Sequence, residues 1–379
     1  MTSRRHFLGR TALGTTAALL AGSPLGTAAS SRSSVSQEMS AAPLVAPAAV
    51  PLTILVLGGT GFIGPHQIEY ALARGHRITM FNRGNDPGLY GDRVEELTGD
   101  RDVRKGTGLT SLAGERRWDV VIDNSGYVPR HVRDSVELLK DRCGRYVYTS
   151  TVAVYDFDAA PNVDRDGPLL AAPAPEVENV TWETYGPLKA ECDRIVQRIL
   201  GERATIVRPT YIVGPGDTTD RFTYWIERLM RGGDVVCPAY PQRRVQWIDV
   251  RDLCPFLVHL AENGTPGAFN AVGPASPVTN AEAMQGLRAF CAAPTELLWP
   301  SAGLLDELEY PTPMFDRSRG DHLAGASHAI AAGLTYRSLA DTVRDTHAWW
   351  LEQSDERRAR ARGWPSAEAE AAVVARLRR

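Results

Sequence analysis

The residues with the clearest chemistry are Tyr185 and Lys189, in the run Tyr185-Gly186-Pro187-Leu188-Lys189. On a helix, positions i and i+4 share one face. An ammonium held beside a phenol favours the phenolate and lowers the phenol's pKa towards neutrality. Such a tyrosine can take a proton from a substrate hydroxyl while hydride leaves for a nicotinamide, and it can run the reverse step. The spacing alone is weak, because it also describes an ordinary exposed pair on a helix. Its surroundings sharpen it. A strand-like run, Arg145 to Ser150, comes earlier and leads into Thr151. That places a hydroxyl at the carboxyl edge of a sheet, ready to hydrogen-bond the reacting oxygen.

A pair of this kind needs a bound dinucleotide, and Leu52 to Gly64 reads as the element that holds one. The sequence L-T-I-L-V-L-G-G-T-G-F-I-G is an aliphatic run followed by spaced glycines, and an amphipathic stretch from Ile68 to Arg74 then stops at Gly75. Strand, glycine-rich turn and helix form the opening unit of a dinucleotide-binding fold. Gly59, Gly61 and Gly64 satisfy G-x-G-x-x-G. The turn offers Gly58, Gly61 and Gly64, with Phe62 and Ile63 opening the helix, as the cofactor contacts. A helix N-terminus there gives free N–H groups and a positive dipole end to phosphates.

Further strands are expected at Arg77 to Phe81, Val94 to Thr98, Trp118 to Asp123 and Ala204 to Pro209, with helices at Pro129 to Lys140 and Trp182 to Leu200. This alternation predicts an α/β fold with a Rossmann-like, doubly wound parallel sheet. The end of the second strand is where cofactor choice is made. It carries Asn82 and Arg83 rather than an acid. Arg83 can pair with a 2′-phosphate, which leans towards NADP, stack over adenine, or be a solvated loop arginine, so NAD and NADP both stay open. Asp100 follows the third strand, where it can accept from the adenine amino group or simply cap a turn, and Asn124 follows the fourth, beside the cofactor.

Residues 52–215 are thus read as the NAD(P)-binding domain, and 216–350 as a smaller C-terminal substrate-binding lobe, with about 245–272 returning to the large sheet. Residues 351–379 read as a charged tail, solvated or frayed. The aperiodic stretch from Asp156 to Val180, rich in Pro, Ala and acid, is a long loop of the kind that often lines a site.

Taken together, these stretches resemble the extended short-chain dehydrogenase/reductases of the NAD-dependent epimerase/dehydratase group. The residues that carry the resemblance are Gly58 to Gly64, Ser150 to Tyr155, Tyr185 to Lys189, Arg208 to Gly216 and Gln246 to Asp252, in the family's order and within about 52–350. The resemblance implies Thr151 as the catalytic hydroxyl, Tyr185 as the acid/base and Lys189 as the residue that also holds the nicotinamide ribose. It implies a small-molecule substrate and a homodimer through the Tyr185 helix and its neighbour. Two departures stand out besides Asn82. Nucleotide-sugar members carry an arginine where this chain has Val245, preceded by Arg243 and Arg244. Dehydratases place an acid pair after the Ser/Thr, where this chain has Val152-Ala153. The stretches Phe81 to Gly84 and Gly99 to Asp102 also resemble a branch that includes chloroplast stem-loop RNA-binding proteins, members of which can lose the catalytic pair that this chain keeps.

A formal net charge of -3 gives no sign of a nucleic-acid partner. The five cysteines are scattered without C-x-x-C or a histidine cluster, so no metal site or disulfide framework is suggested. The function expected is NAD(P)-dependent oxidoreduction at a hydroxyl or carbonyl carbon of a sugar or sugar-like substrate. The alternatives are an exported NADP-dependent reductase of a non-sugar carbonyl and, behind it, a non-catalytic RNA-binding relative.

The N-terminus has its own message. Ser3-Arg4-Arg5-His6-Phe7-Leu8-Gly9 matches a twin-arginine export signal, followed by a moderately apolar stretch and a small-residue region at Ala28-Ala29. Residues 1–29 are read as the signal, too short and polar for a stable membrane anchor, and 30–51 as a disordered linker. The expected location is periplasmic or extracellular. Changing Arg4→Lys and Arg5→Lys together should trap the protein in the cytoplasm, as read by fractionation; unchanged secretion would set the signal aside.

Overall fold

Strand β1 (Thr53–Leu57) lies at the middle of the fold, with Ile54 to Leu57 each no more than 1% exposed. Its alternating side chains serve two faces. Ile54 and Val56 join one core with Ile68, Ala71, Leu253 and Leu257, whereas Leu55 and Leu57 join the other with Val132, Val136, Ile195 and Val196. A strand buried on both sides reads as a continuous apolar run, which is why this stretch lacks a polar alternation.

This is a computed structural model, and it describes residues 45–315 and 320–379. The expected export signal, its cleavage region and the expected linker up to residue 44 lie outside the described residues. The large sheet contains β1, β2 (Arg77–Asn82), β3 (Val94–Thr98), β4 (Trp118–Asp123) and β5 (Cys143–Thr149), together with the strands Ala204–Pro209 and Gly267–Ala271. Every neighbouring pair is parallel. From one edge the order is Gly267–Ala271, Ala204–Pro209, β5, β4, β1, β2, β3. Helices α1 (Ile63–Ala73) and Val250–Asn263 cover one face, and α2 (Pro129–Leu139) and α3 (Trp182–Leu200) cover the other. The expected doubly wound Rossmann-like sheet is therefore present. Its strand order reverses between β1 and β4, which opens a crevice at their carboxyl ends.

Three expectations need correction. Within 245–272 only Gly267–Ala271 enters the large sheet; Arg244–Asp249 is the centre of a separate three-stranded sheet between Tyr211–Val213 and Gly273–Thr279. The end of the expected linker is not loose. The Ala48 N–H donates to the Arg74 carbonyl at 2.8 Å, and the Arg74 guanidinium reaches the Ala46 carbonyl.

The tail, third, is packed onto the lobe. The helix Ala367–Leu377 buries Val373 against Val236, Ala239, Leu305 and Tyr310. Glu370 accepts from Arg228 Nε at 2.6 Å, and Trp364 Nε1 donates to the Asp220 carbonyl at 2.9 Å. Two of the charges that suggested a solvated helix are paired with buried partners, Glu370 with Arg228 and Arg357 with Asp220. Removing Glu370 leaves the buried Arg228 guanidinium without its counter-charge, so Glu370→Ala should lower the unfolding free energy by about 2–3 kcal/mol in urea titration. An unchanged midpoint would mean that the tail adds nothing to the lobe.

Candidate active site

The site is assembled where α3 begins. Thr181 and Thr184 form a reciprocal cap that fixes the start of α3, with the Thr181 N–H donating to Thr184 Oγ1 at 2.8 Å. One turn on, Gly186 lies so close to the turn after β5 that a Cβ there would sit 2.5 Å from the Ala153 carbonyl oxygen. This contact brings Tyr185 against Thr151. The Thr151 hydroxyl accepts from the Ala153 N–H at 3.2 Å, and it acts to lower the pKa of the nearby Tyr185 phenol.

Burial pushes the Tyr185 phenol well above the ordinary tyrosine range, while the Thr151 hydroxyl and the charge of Arg221 pull it down. This overturns the expectation that Lys189 lowers it towards neutrality. The Lys189 ammonium does not reach Tyr185 by hydrogen bond. It donates to the Gly126 carbonyl at 2.7 Å, the Tyr148 hydroxyl at 2.6 Å and the Thr149 carbonyl at 2.8 Å. It lies 4.2 Å from the Tyr148 ring centroid. Burial lowers its pKa to about 8, against the opposing pull of Cys192, Asp193 and Asp123.

The glycine turn sits beside this group. Gly58 has φ +88°, and a Cβ there would come within 2.6 Å of Ser125 Cβ. At Gly64 a Cβ would lie 2.2 Å from the Gly59 carbonyl oxygen, so helix and turn touch backbone to backbone. Gly61 instead faces open space. Phe62 precedes α1 with no side-chain cap, Ile63 opens the helix, and its first turn holds no acid. An open glycine ahead of uncapped helix N–H groups suits the pyrophosphate of a dinucleotide.

The other expected cofactor residues lie around the same crevice but mostly serve the protein. Asn82 Oδ1 accepts from the Gly84 N–H at 2.6 Å, and Arg83 is exposed. Asp100 Oδ1 accepts from the Asp102 N–H at 2.8 Å, which is the turn-capping alternative. Asn124 bridges α1 and β5, donating to Gln67 Oε1 at 2.7 Å and accepting from Thr149 Oγ1 at 2.8 Å. Arg243 and Arg244 face the segment at 320–321 instead of a free cleft: Arg244 pairs with Asp321 at 2.7 Å and Arg243 Nε donates to the Gly320 carbonyl at 2.8 Å. A cavity of about 180 Å³ bounded by Trp247, Asp249, Tyr336 and Arg337 contains neither Tyr185 nor Lys189.

Sequence reasoning missed the polar groups beneath the site. Tyr148 donates to the Gly126 carbonyl at 2.6 Å, and Tyr146 donates to Asp123 Oδ2 at 2.7 Å. Arg101 pairs with the fully buried Asp123. The signals were present in Tyr146 and Tyr148 at alternate positions of one strand and in an acid closing the apolar strand β4. Both read equally well as ordinary core and strand-end residues.

Residues 54–272, more than half of the chain, match the profile of the NAD dependent epimerase/dehydratase family. The chain belongs to that family. It is accordingly an NAD-dependent enzyme of the extended short-chain dehydrogenase/reductase type. It is 27% identical over 267 residues to the epimerase family protein SDR39U1 of Bos taurus, covering 66% of this chain and 84% of that protein. It is 27% identical over 227 residues to the chloroplast stem-loop binding protein of 41 kDa b of Arabidopsis thaliana, covering 55% of each. Its fold is similar to the UDP-glucuronic acid 4-epimerase of Bacillus cereus solved in complex with NAD, with TM-score 0.59 and 16% identity over 79% of this chain and all (100%) of that one. The dTDP-glucose 4,6-dehydratase of Bacillus anthracis, also solved with NAD, gives TM-score 0.59 and 17% identity over 81% and 98% of the two chains. Among the described residues no helix is long and apolar enough to cross a membrane.

The buried lysine makes a pH prediction. The folded chain holds the Lys189 proton less tightly, at about 8, than the ordinary 10.5 of an unfolded chain. Below pH 8 both states are charged and the fold carries the whole burial cost; the cost is lifted as pH rises from 8 to 10.5. Over that window wild-type stability should gain on Lys189→Met by up to about 3 kcal/mol, measured by denaturant unfolding at each pH. A flat difference would contradict the lowered pKa.

Proposed function

We propose that this family member oxidises, or reduces, a hydroxyl-bearing carbon of a sugar or sugar-like small molecule, with Tyr185 as the proton carrier. The observation that carries the reading is the packing of the start of α3 on the turn after β5, where a Cβ at Gly186 would lie 2.5 Å from the Ala153 carbonyl oxygen, which sets Tyr185 beside Thr151 on the helix that also carries Lys189. Bound NAD would supply the hydride acceptor and donor. Gly58, Gly61, Gly64 and the start of α1 would hold its pyrophosphate, and Lys189, whose three protons go to Gly126, Tyr148 and Thr149, would hold the nicotinamide ribose by exchanging one of those bonds for a ribose hydroxyl. Asn124 would shape the wall beside it, by its bonds to Gln67 and Thr149.

With its phenol protonated, Tyr185 is set to donate Oη–H to a carbonyl oxygen of the substrate, while Thr151 orients that oxygen. In the alcohol direction Tyr185 must first give up its proton. The positive charge of Arg221 and the nearby Thr151 hydroxyl both favour that loss. The NAD dependence of the family and the NAD-bound structural neighbours support NAD. The exposed Arg83 after β2 is the feature that favours the second reading, an NADP-dependent reductase of a non-sugar carbonyl. Epimerisation is favoured over dehydration because Val152-Ala153 stand where dehydratases carry acids. A redox-neutral epimerisation also suits the export signal, since it needs no external cofactor turnover. RNA binding is disfavoured by the net charge of -3 and by the retained Thr151, Tyr185 and Lys189.

Purified mature protein should release NAD on denaturation, identified by mass spectrometry. Tyr185→Phe should lose at least about 100-fold in turnover while keeping the same NAD content. Undiminished turnover in that variant would remove Tyr185 from the chemistry, and an NADP-loaded protein would favour the second reading.

A further inference from the structure

We propose that Arg221 forms an oxyanion subsite in the substrate lobe, one that takes a carboxylate or phosphate carried by the substrate. Arg221 opens the helix Arg221–Met230 and is half-buried. Its guanidinium carbon stands 5.0 Å from the Tyr211 ring centroid. Its Nε donates to Thr219 Oγ1 at 3.0 Å, and Thr219 Oγ1 donates in turn to Asp217 Oδ1 at 2.6 Å. Asp217 is 1% exposed and also accepts from the Thr219 N–H at 2.8 Å. The arginine is therefore fixed through a buried acid in the turn 214–217.

That turn rests on the cofactor helix. His66 Nε2 lies 2.7 Å from the Pro215 carbonyl oxygen, and the Cβ position of Gly216 is 3.4 Å from the Phe62 ring. Arg221 is thereby tied to the same corner as the glycine turn, and its charge is felt at the Tyr185 phenol.

What sets Arg221 apart is what it does not do. Arg208, Arg228, Arg244, Arg251 and Arg357 each pair with a carboxylate. Among the described residues Arg221 makes no ion pair, and neither terminal nitrogen has a protein partner. The adjacent Asp220 is already paired with Arg357, and Asp217 meets Arg221 only through the Thr219 hydroxyl. A guanidinium pinned at Nε with both terminal N–H groups free presents the fork that binds a carboxylate or phosphate bidentately. Stacking on Tyr211 holds the plane of that fork. The subsite is distinct from Arg243 and Arg244, which are engaged at 320–321.

The inference rests on Tyr185 marking the reacting end of the cleft, and its test is independent of turnover. Calorimetry on NAD-loaded protein would compare glucose, glucuronate and glucose 6-phosphate. One of the two anionic probes should bind about tenfold or more tighter than glucose, and which one does so separates carboxylate from phosphate. Arg221→Gln should abolish the preference without weakening glucose, and Arg221→Lys should restore part of it. Equal binding of the three probes, binding of none, or an equal loss for all three in Arg221→Gln would overturn the subsite. Tyr185→Phe should retain the preference, so a failed acid/base assignment and a failed subsite give different results.

Discussion

A single ammonium group fixes the geometry on which the candidate active site depends. Lys189 arrives from α3, and its three protons go to Gly126 on the loop after β4, to Tyr148 within β5 and to Thr149 at the end of β5. Stripping water from a lysine is costly, and three oxygens within 2.8 Å repay much of it. The arrangement holds only if α3, β4 and β5 stand at one relative position. Tyr185 shares the helix with Lys189, so the position of the phenol follows from the position of the ammonium.

A second buried chain continues the restraint away from the cofactor. Ser150 donates to Asp193, Asp193 pairs with Arg208 at 2.9 Å, and Arg208 donates to the Tyr155 hydroxyl at 2.7 Å. Tyr155 then donates to Asn270 Oδ1 at 2.7 Å, and Asn270 Nδ2 reaches the Gly325 carbonyl at 3.1 Å. The path runs from the residue beside Thr151, through α3 and two strands, to the segment at residue 325. Each member is satisfied by the next, which a buried polar network requires if it is to hold one conformation. Removing a middle member would leave two groups buried without partners.

Much of this was legible in the sequence because it is written in local patterns. Apolar runs identified the central strands, and glycine spacing identified the turn after β1. The i, i+4 spacing put Tyr185 and Lys189 on one helix face. What the spacing could not show was the direction of the Lys189 side chain. That depends on Tyr148, which is remote in sequence and indistinguishable from a core aromatic until its hydroxyl is seen. Asn82, Asp100 and Asn124 stand at or just beyond the ends of β2, β3 and β4, and their side chains bond within the protein, Asn82 and Asp100 closing turns as short polar side chains readily do. Strand Arg244–Asp249 looks like any parallel strand in sequence, and only pairing reveals that it left the large sheet. The tail misled for a related reason. Its charges suggest solvation, but their partners lie more than a hundred residues away, at Asp220, Arg228 and Asp234.

Those distant partners set the order in which the molecule can be completed during synthesis. Most of the dinucleotide half is built from neighbours in sequence, and β1 to β5 can pair as soon as residue 149 has emerged. Its last strand waits for residue 271, and the lobe that carries Arg221 waits longer still, because Val373 and Glu370 close its core from the far end of the chain. Contacts of such long sequence separation form late, after their loop entropy has been met. The half built on the large sheet thus precedes the C-terminal lobe, and the nascent chain passes through a stage in which the first is formed and the second is open.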